Sequence, residues 1–546
     1  MLLAAALPQT AAASSPVPGS SADTLYIDLL PGENVWGGRV ADGSSMPFAP
    51  GFRGDMFYNG NNQIQPLLLT DKGRYIWSEE PFEFIVEPGR LLIYPETEGA
   101  RGHAVPLDEA LRTGFAGETL ADAREYASET FFPASGVMPP EEFLKVPQYN
   151  TWIELMYDQN QEGIIRYAEG IIENGLPAGI IMIDDTWQED YGKWVFHPGR
   201  FPDPAAMVRQ LHEMGFKVML WVCPLVSMDQ YLICSEIMKD KGFLLKPSHP
   251  GATWEESYEP YPVTWWNGVS AVLDLSNESA AGWFRSQLDR LMDEYGIDGF
   301  KFDAGDPVHY PADALSKGGV SSQEQCRLYA SVGLDYPYNE YRACWKMAGQ
   351  PLVQRLGDKS HSWDDLRKLI PDMIAENLMG YCFSCPDMVG GGSFATFLDA
   401  DKIDQDLIVR SAQCHAMMPM MQFSVAPWRV LDSARFEAVK KAVDLRQKTV
   451  APLIMELASK AAVDGEPVLR SLEYVFPHKG YSQIKDQFML GDDFMVAPLL
   501  VPGETSRDVV LPEGKWRGDD GKVYRGGRTV SIYVPMDRIP YFVRMQ

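Results

Sequence analysis

Between Pro147 and Gly465 the chain repeats one pattern: a short, wholly apolar run, a helical stretch, and another apolar run. Ala178 to Ile183, Lys217 to Val222, Ala271 to Leu275 and Gly299 to Phe302 read as strands, with Tyr149 to Leu155 opening the series. Gln159 to Glu173, Pro204 to Met214 and Ser279 to Tyr295 read as the helices between them. Strands apolar on both faces need cover on both faces, which crossover helices give to a parallel sheet. The alternation continues through Pro351 to Leu356, Asp364 to Glu376, Gly380 to Phe383 and Ala416 to Met421, and a last helix runs from Ala434 to before Gly465. Roughly eight such units fit a (β/α)8 TIM barrel with insertions better than an open sheet. A Trp-rich insertion around Trp254, Trp265 and Trp266 is expected above the barrel mouth.

On either side the rhythm changes to short strands of period two, broken by Gly, Pro, Asn and Asp. The whole chain therefore reads as a multidomain α/β protein, with an N-terminal β-sandwich over 23–145, the barrel over 146–460 and a C-terminal β-sandwich domain over 461–546. Residues 1–22 read as a signal-like or disordered tail. They resemble the apolar and cleavage parts of a secretory signal but carry no Lys or Arg before the apolar run. The expectation is a periplasmic or secreted protein, with a cytoplasmic one as the alternative.

Composition narrows the partners. Apolar residues at 45% and charged ones at 23% exclude disorder as the main state. No stretch approaches the length of a membrane-spanning helix. A formal net charge of −27 with no basic run argues against nucleic acid. The 12% aromatic content suits surfaces that stack on sugar rings. Seven cysteines do not form a disulfide scaffold, and the Cys382-x-x-Cys385 pair has no second pair beside it, so both read as buried thiols. Eight His without clustering make a metal site a poor fit, and no metal or cofactor is expected. Nothing in the sequence bears on oligomeric state.

In a barrel, chemistry collects at the C-terminal ends of the strands. There this chain places Asp184 and Asp185, then Asp303 and Asp306, then Asp358, then Asp387 before Gly390-Gly-Gly. One acid at a strand end commonly caps the following helix. Four acidic strand ends at one mouth are better explained by a site. Paired carboxylates without a metal, beside aromatic residues, are what glycoside cleavage needs: one attacks or shields the anomeric carbon and the other protonates the leaving oxygen. Spacing alone does not say which acid does which.

The stretches Ile183-Asp-Asp-Thr-Trp, Gly199-Arg-Phe-Pro-Asp-Pro and Leu211-His-Glu-Met-Gly-Phe-Lys-Val-Met-Leu-Trp-Val-Cys-Pro resemble glycoside hydrolase family 31. So do Gly465-Glu-Pro-Val-Leu-Arg, Asp486-Gln-Phe-Met-Leu-Gly-Asp and Leu511-Pro-Glu-Gly-Lys-Trp, in the same order. The resemblance implies a retaining exo-α-glycosidase acting on an oligosaccharide or glycoside, with Asp303 as nucleophile and Asp358 as acid/base. It implies carboxyl groups about 5–5.5 Å apart. Lys301 shares a strand face with Asp303 and is expected to lower its pKa, and Asp358 is expected to have a raised one. Asp184 and Asp185 suit sugar hydroxyls, with Trp187 and Trp221 as walls. Arg355 suits a hydroxyl or a carboxylate, and Asp387 either direct contact or support from behind.

Departures from the pattern bear on the substrate. The α-glucosidase branch has Trp-x-Asp-Met-Asn-Glu and Arg-Asn-His, where this chain has Lys301-Phe-Asp-Ala-Gly-Asp306 and Met421-Gln-Phe-Ser424. With Pro386-Asp-Met-Val-Gly-Gly, the chain resembles the branch of bacterial α-galactosidases and the myogenesis-regulating glycosidase, which has Glu where Asp306 stands. Terminal α-galactose is therefore the expected substrate. The alternatives are an α-glucosidase or α-xylosidase, or a carbohydrate-binding homologue without catalysis.

Overall fold

The computed structural model describes residues 24–57, 62–94, 107–230, 241–249, 251, 253–257, 259–399 and 402–545. The expected tail at 1–22 lies outside them. The centre of the molecule is a barrel of eight parallel strands: β1 Gln148–Asn150, β2 Ile180–Ile183, β3 Lys217–Val222, β4 Gly299–Phe302, β5 Tyr338–Tyr341, β6 Gln354–Arg355, β7 Ser384–Cys385 and β8 Gln422–Phe423. Each neighbouring pair from β1 to β7 is in parallel register, β8 pairs with β1, and a Met388–Gln422 bridge beyond β7 brings the two edges together. The crossover helices start where a side chain can accept from the first free backbone N–H groups: Asn160, Asp203, Asn277, Ser362 and Asp404 each do so.

Several sequence expectations are corrected. The apolar run Ala271 to Leu275 is not a barrel strand. Its first residues belong to Gly268–Val272, which pairs antiparallel with Val263–Trp265 and Leu225–Ser227 in a small sheet above the barrel. The fifth barrel strand is instead Tyr-Asn-Glu-Tyr (338–341), which has no apolar run because its inward side chain is Glu340. At this level the barrel interior is polar. Gln422 Nε2 sits among Gln148 Oε1 (3.1 Å) and Glu340 Oε2 (2.7 Å). Likewise β7 and β8 begin just past the apolar runs at Gly380 to Phe383 and Ala416 to Met421, and only Gln148–Asn150 of the opening run is strand, followed by a helical turn Trp152–Leu155.

The N-terminal region forms a four-stranded sheet and four strands of a five-stranded one, and the C-terminal region a six-stranded sheet with a two-stranded ribbon. Ala343–Trp345, directly after β5, leaves the barrel and pairs in parallel with Asn62–Thr70 of the N-terminal sheet. From that strand Gln63 Nε2 donates to the carbonyls of Arg342 and Arg355 (both 3.2 Å) and to Gln354 Oε1 (3.0 Å), while Asn62 accepts from the Gly357 amide. The sandwich thus grips the ends of β5 and β6. Among the described residues no helix is long and apolar enough to cross a membrane, and Cys382 and Cys385 are buried free thiols.

Gln63→Leu would leave these buried acceptors without a donor, at a cost of about 1–3 kcal/mol. The expected outcome is a lower unfolding midpoint in urea, accompanied by a fall in kcat, because Arg342 and Arg355 ride on the strand ends that Gln63 ties.

Candidate active site

The acids sit where the strands end and the chain turns abruptly. Thr186, Ala304 and Asp387 have φ of 71°, 52° and 78°, left-handed values that are uncommon for residues other than Gly. After β2 and β4 that turn lets a carboxylate accept from the next backbone N–H: Thr186 N to Asp185 Oδ1 at 2.7 Å and Ala304 N to Asp303 Oδ1 at 2.8 Å.

Asp303 is buried, and burial alone would raise its pKa. The Arg342 guanidinium, Lys301 and Arg355 outweigh that and hold the carboxyl far below the ordinary range, helped by a 2.8 Å hydrogen bond from Trp221 Nε1 to Oδ2. Arg342 stands 3.5 Å from Asp303 Oδ1 and donates to Asp306 Oδ2 at 3.3 Å. It is the residue that sequence reasoning missed, because it ends a strand with no apolar signature. The expectation for Lys301 holds only in part. It faces inward in one row with Trp221 and Glu340 of the adjacent strands, but its Nζ bonds Asp184 Oδ2 at 2.6 Å and acts on Asp303 through its field.

Arg355 holds carboxylates. Its Nη1 donates to Asp387 Oδ1 (2.7 Å) and Asp358 Oδ1 (2.9 Å), and its Nε pairs with Glu340 Oε1 at 3.3 Å. The expectation of a raised pKa for Asp358 is corrected: burial pushes that way, but Arg355, Arg342 and Lys301 together lower it. The raised member is Asp387, pushed up to about 7 by burial and by the charge of Asp358. Asp358 has 37% of its side chain exposed whereas Asp387 is buried at 1%. Two carboxyls on one guanidinium nitrogen titrate as a pair, so the pair retains a proton toward neutral pH. Asp387 also accepts from Lys359 N at 2.7 Å, and a Cβ on Gly392 would lie 3.0 Å from both Asp387 Oδ1 and Asp358 Cγ. Asp387 thus lies deeper than Asp358 on the same guanidinium.

Asp184 and Asp185 both reach the mouth. Asp185 is tied to Tyr191 and Asn267, and burial and the neighbouring Asp184 push its pKa up to about 7. Trp221 stands against Asp303. Trp187 is corrected: the turn at Thr186 sends its indole behind the barrel wall, where it packs on Phe196 and its Nε1 donates to the Trp221 carbonyl at 2.7 Å. Among the described residues no cluster of His, Cys, Asp or Glu is placed to hold a metal ion.

One carboxylate kept ionised, facing a second acid that shares a proton, can attack an electrophilic carbon while a leaving oxygen is protonated. Residues 137–454 match the Glycosyl hydrolases family 31 TIM-barrel domain and 465–546 the family's C-terminal domain. The mouse myogenesis-regulating glycosidase is 31% identical over 438 residues, covering 78% of this chain and 60% of that protein. Alpha-xylosidase XylQ of Lactiplantibacillus pentosus is 25% identical over 479 residues, covering 79% of this chain and 59% of its own length. The chain thus spans about 60% of the length of these relatives. A dextranase of Flavobacterium johnsoniae solved with glucose superposes with a TM-score of 0.82 at 18% identity, covering 96% of this chain and 67% of that one, and shows a shared fold.

Arg342→Gln would remove the largest charge that keeps Asp303 ionised, raising its pKa by about one to three units. With Asp303 as the attacking carboxylate expected from the sequence, the acid limb of kcat/KM should move upward by a similar amount, with activity lost at a higher pH as the solution is acidified.

Proposed function

The chain belongs to glycoside hydrolase family 31, and from that premise we propose that it is a retaining exo-α-glycosidase that removes terminal, non-reducing α-linked galactose by double displacement. The observation that carries this reading is the unequal treatment of two acids at one mouth: Asp303 is held ionised by Arg342, Lys301 and the Trp221 N–H, while the Asp358–Asp387 pair keeps a proton.

In the first step Asp303 attacks the anomeric carbon and the glycosidic oxygen leaves with a proton from Asp358. In the second, Asp358 takes a proton from water, the water oxygen bonds to the anomeric carbon, and the Asp303 carboxylate is released. A sugar over the mouth removes water from the exposed part of Asp358. Burial raises a carboxyl pKa, so the pair's proton moves to the member facing the leaving oxygen.

The choice of galactose is supported by the end of β8. There the chain carries Gln422-Phe-Ser424, and Ser424 Oγ accepts from the Ile153 amide at 2.7 Å. Where the α-glucosidase branch offers a His to sugar hydroxyls, this position is occupied with holding the chain after β1. The similarity to an α-xylosidase keeps an α-xylosidase or α-glucosidase as the second reading.

Assaying aryl α-galactoside, α-glucoside, α-xyloside and N-acetyl-α-galactosaminide side by side should give the highest kcat/KM for the galactoside. A preference for another sugar would replace galactose, and sugar binding with no turnover of any would leave a non-catalytic homologue. Asp303→Asn is expected to abolish turnover with unchanged circular dichroism. Asp358→Ala should cost about 10²–10⁴ in rate on poor leaving groups and little on activated ones, since only the former need the proton. Equal losses on both would assign the acid elsewhere.

A further inference from the structure

Asp185 is engaged differently from the other acids of the mouth. A carboxylate offers about four acceptor positions, and here three donors converge on them. The Thr186 amide reaches Oδ1 at 2.7 Å, the Tyr191 hydroxyl reaches Oδ1 and Oδ2 at 3.0 and 3.2 Å, and Asn267 Nδ2 reaches Oδ2 at 2.6 Å. Asn267 Nδ2 also donates to the Tyr191 oxygen at 2.7 Å, and the Tyr157 hydroxyl donates to Asn267 Oδ1 at 3.2 Å. Tyr191 and Asn267 belong to insertions outside the barrel. Tyr191 joins the strands Gln188–Asp190 and Lys193–Phe196. Asn267 is at the two-residue tip of the hairpin Val263–Trp265 and Gly268–Val272.

The other tip residue is Trp266. Its indole is 46% exposed, lies 4.8 Å from the Trp265 ring, and has the Arg342 guanidinium over it at 5.0 Å. Trp265 stacks on Trp221 (6.5 Å, 17°) and meets Tyr191 edge-on at 4.9 Å. The tip is thus fastened twice, to Asp185 through Asn267 and to the pair Asp303–Arg342 through the tryptophans. Between these fastenings it presents an aromatic face beside the nucleophile. Val269 of the hairpin and Val308 of the turn Pro307–His309 are also exposed.

We propose that Asp185 is a positioning residue for the leaving-group side of the site: through Tyr191 and Asn267 it holds Trp266 over the mouth as the wall on which the ring of the leaving group, a second sugar or an aryl group, rests. It then binds no sugar hydroxyl, in contrast to the expectation from sequence. This inference rests on the glycosidase reading above, and its test separates the two.

The full-length chain is assayed on an α-linked galactosyl disaccharide and on the corresponding glycosyl fluoride, whose leaving group is too small to touch the wall. Asn267→Ala should lower the ratio of disaccharide to fluoride kcat/KM by about tenfold, the scale of one lost ring contact, mainly through KM. Trp266→Ala, at an exposed tip, should do the same without a risk to folding. Asn267→Asp should also lower the ratio by setting two carboxyls together, and the exchanged pair Asp185→Asn/Asn267→Asp should restore it. An unchanged ratio in Asn267→Ala and Trp266→Ala, or an exchanged pair that fails to recover, overturns the proposal, as does Asp185→Asn depressing both substrates equally. A wild-type chain that cleaves no α-galactosyl, α-glucosyl or α-xylosyl fluoride overturns the glycosidase reading instead.

Discussion

Three cations buried at the barrel mouth, Lys301, Arg342 and Arg355, decide what every acid there can do. Lys301 and Arg355 have side chains only 5% and 1% exposed, and Arg342 13%. A buried cation is tolerated only where carboxylates replace its water, and each has at least two within reach. The dependence runs both ways. An acid in so dry a place would take up a proton, and Asp303 stays ionised because Arg342 is beside it with Lys301 and Arg355 behind. Where one guanidinium nitrogen is divided between two acids, as Arg355 Nη1 is, the buried member Asp387 rises instead. Where no cation leads, as at Asp185, burial and Asp184 set the result. The balance between burial and the summed charge of the neighbours, and not the distance to any one cation, thus sets the acids apart: Asp303 is held ionised, and Asp387 and Asp185 are raised.

The cations are placed by two domains. Arg342 lies between β5 and Ala343–Trp345, and the latter is a strand of the N-terminal sheet. Gln63 of that sheet bonds the carbonyls of Arg342 and Arg355, and Asn62 meets the turn before Asp358 through Gly357. The sandwich is therefore part of the site's framework. A barrel of two-residue strands at β6, β7 and β8 has few ladder bonds of its own with which to fix arginines to a few tenths of an ångström.

Much of this was legible in the sequence, for reasons tied to particular residues. The acids at 184, 303, 358 and 387 close apolar strands or precede glycines, and a barrel puts such ends at one mouth. β5 was hidden because Glu340 points into a polar interior, and Arg342 was hidden with it. Ala271 to Leu275 misled because a hairpin strand packed on the barrel is as apolar as a barrel strand. Trp187 and Trp221 look alike in sequence, yet Trp221 points inward from a strand while the left-handed turn at Thr186 sends Trp187 to the back. The direction of the Asp358 shift could not be read because Arg355 of its own strand is joined by Arg342 and Lys301, which come from other strands.

On the proposed double displacement, the surplus of acids over cations has a physical use. An ester on Asp303 would remove its charge, and a buried guanidinium beside it would be left uncompensated. Arg342 still has Asp306, fully buried and held below the ordinary carboxyl range by Arg342 ahead of His309, despite burial. Lys301 still has Asp184, and Arg355 still has Glu340. Each cation keeps one carboxylate that takes no part in the proposed bond changes, so the field at the mouth would hold its shape while Asp303 is neutral. The role asked of Asp306 is to be a permanent counter-ion on the far side of Arg342. That role needs a carboxylate within reach and not a particular chain length, which is why Asp can stand where the related branch carries Glu.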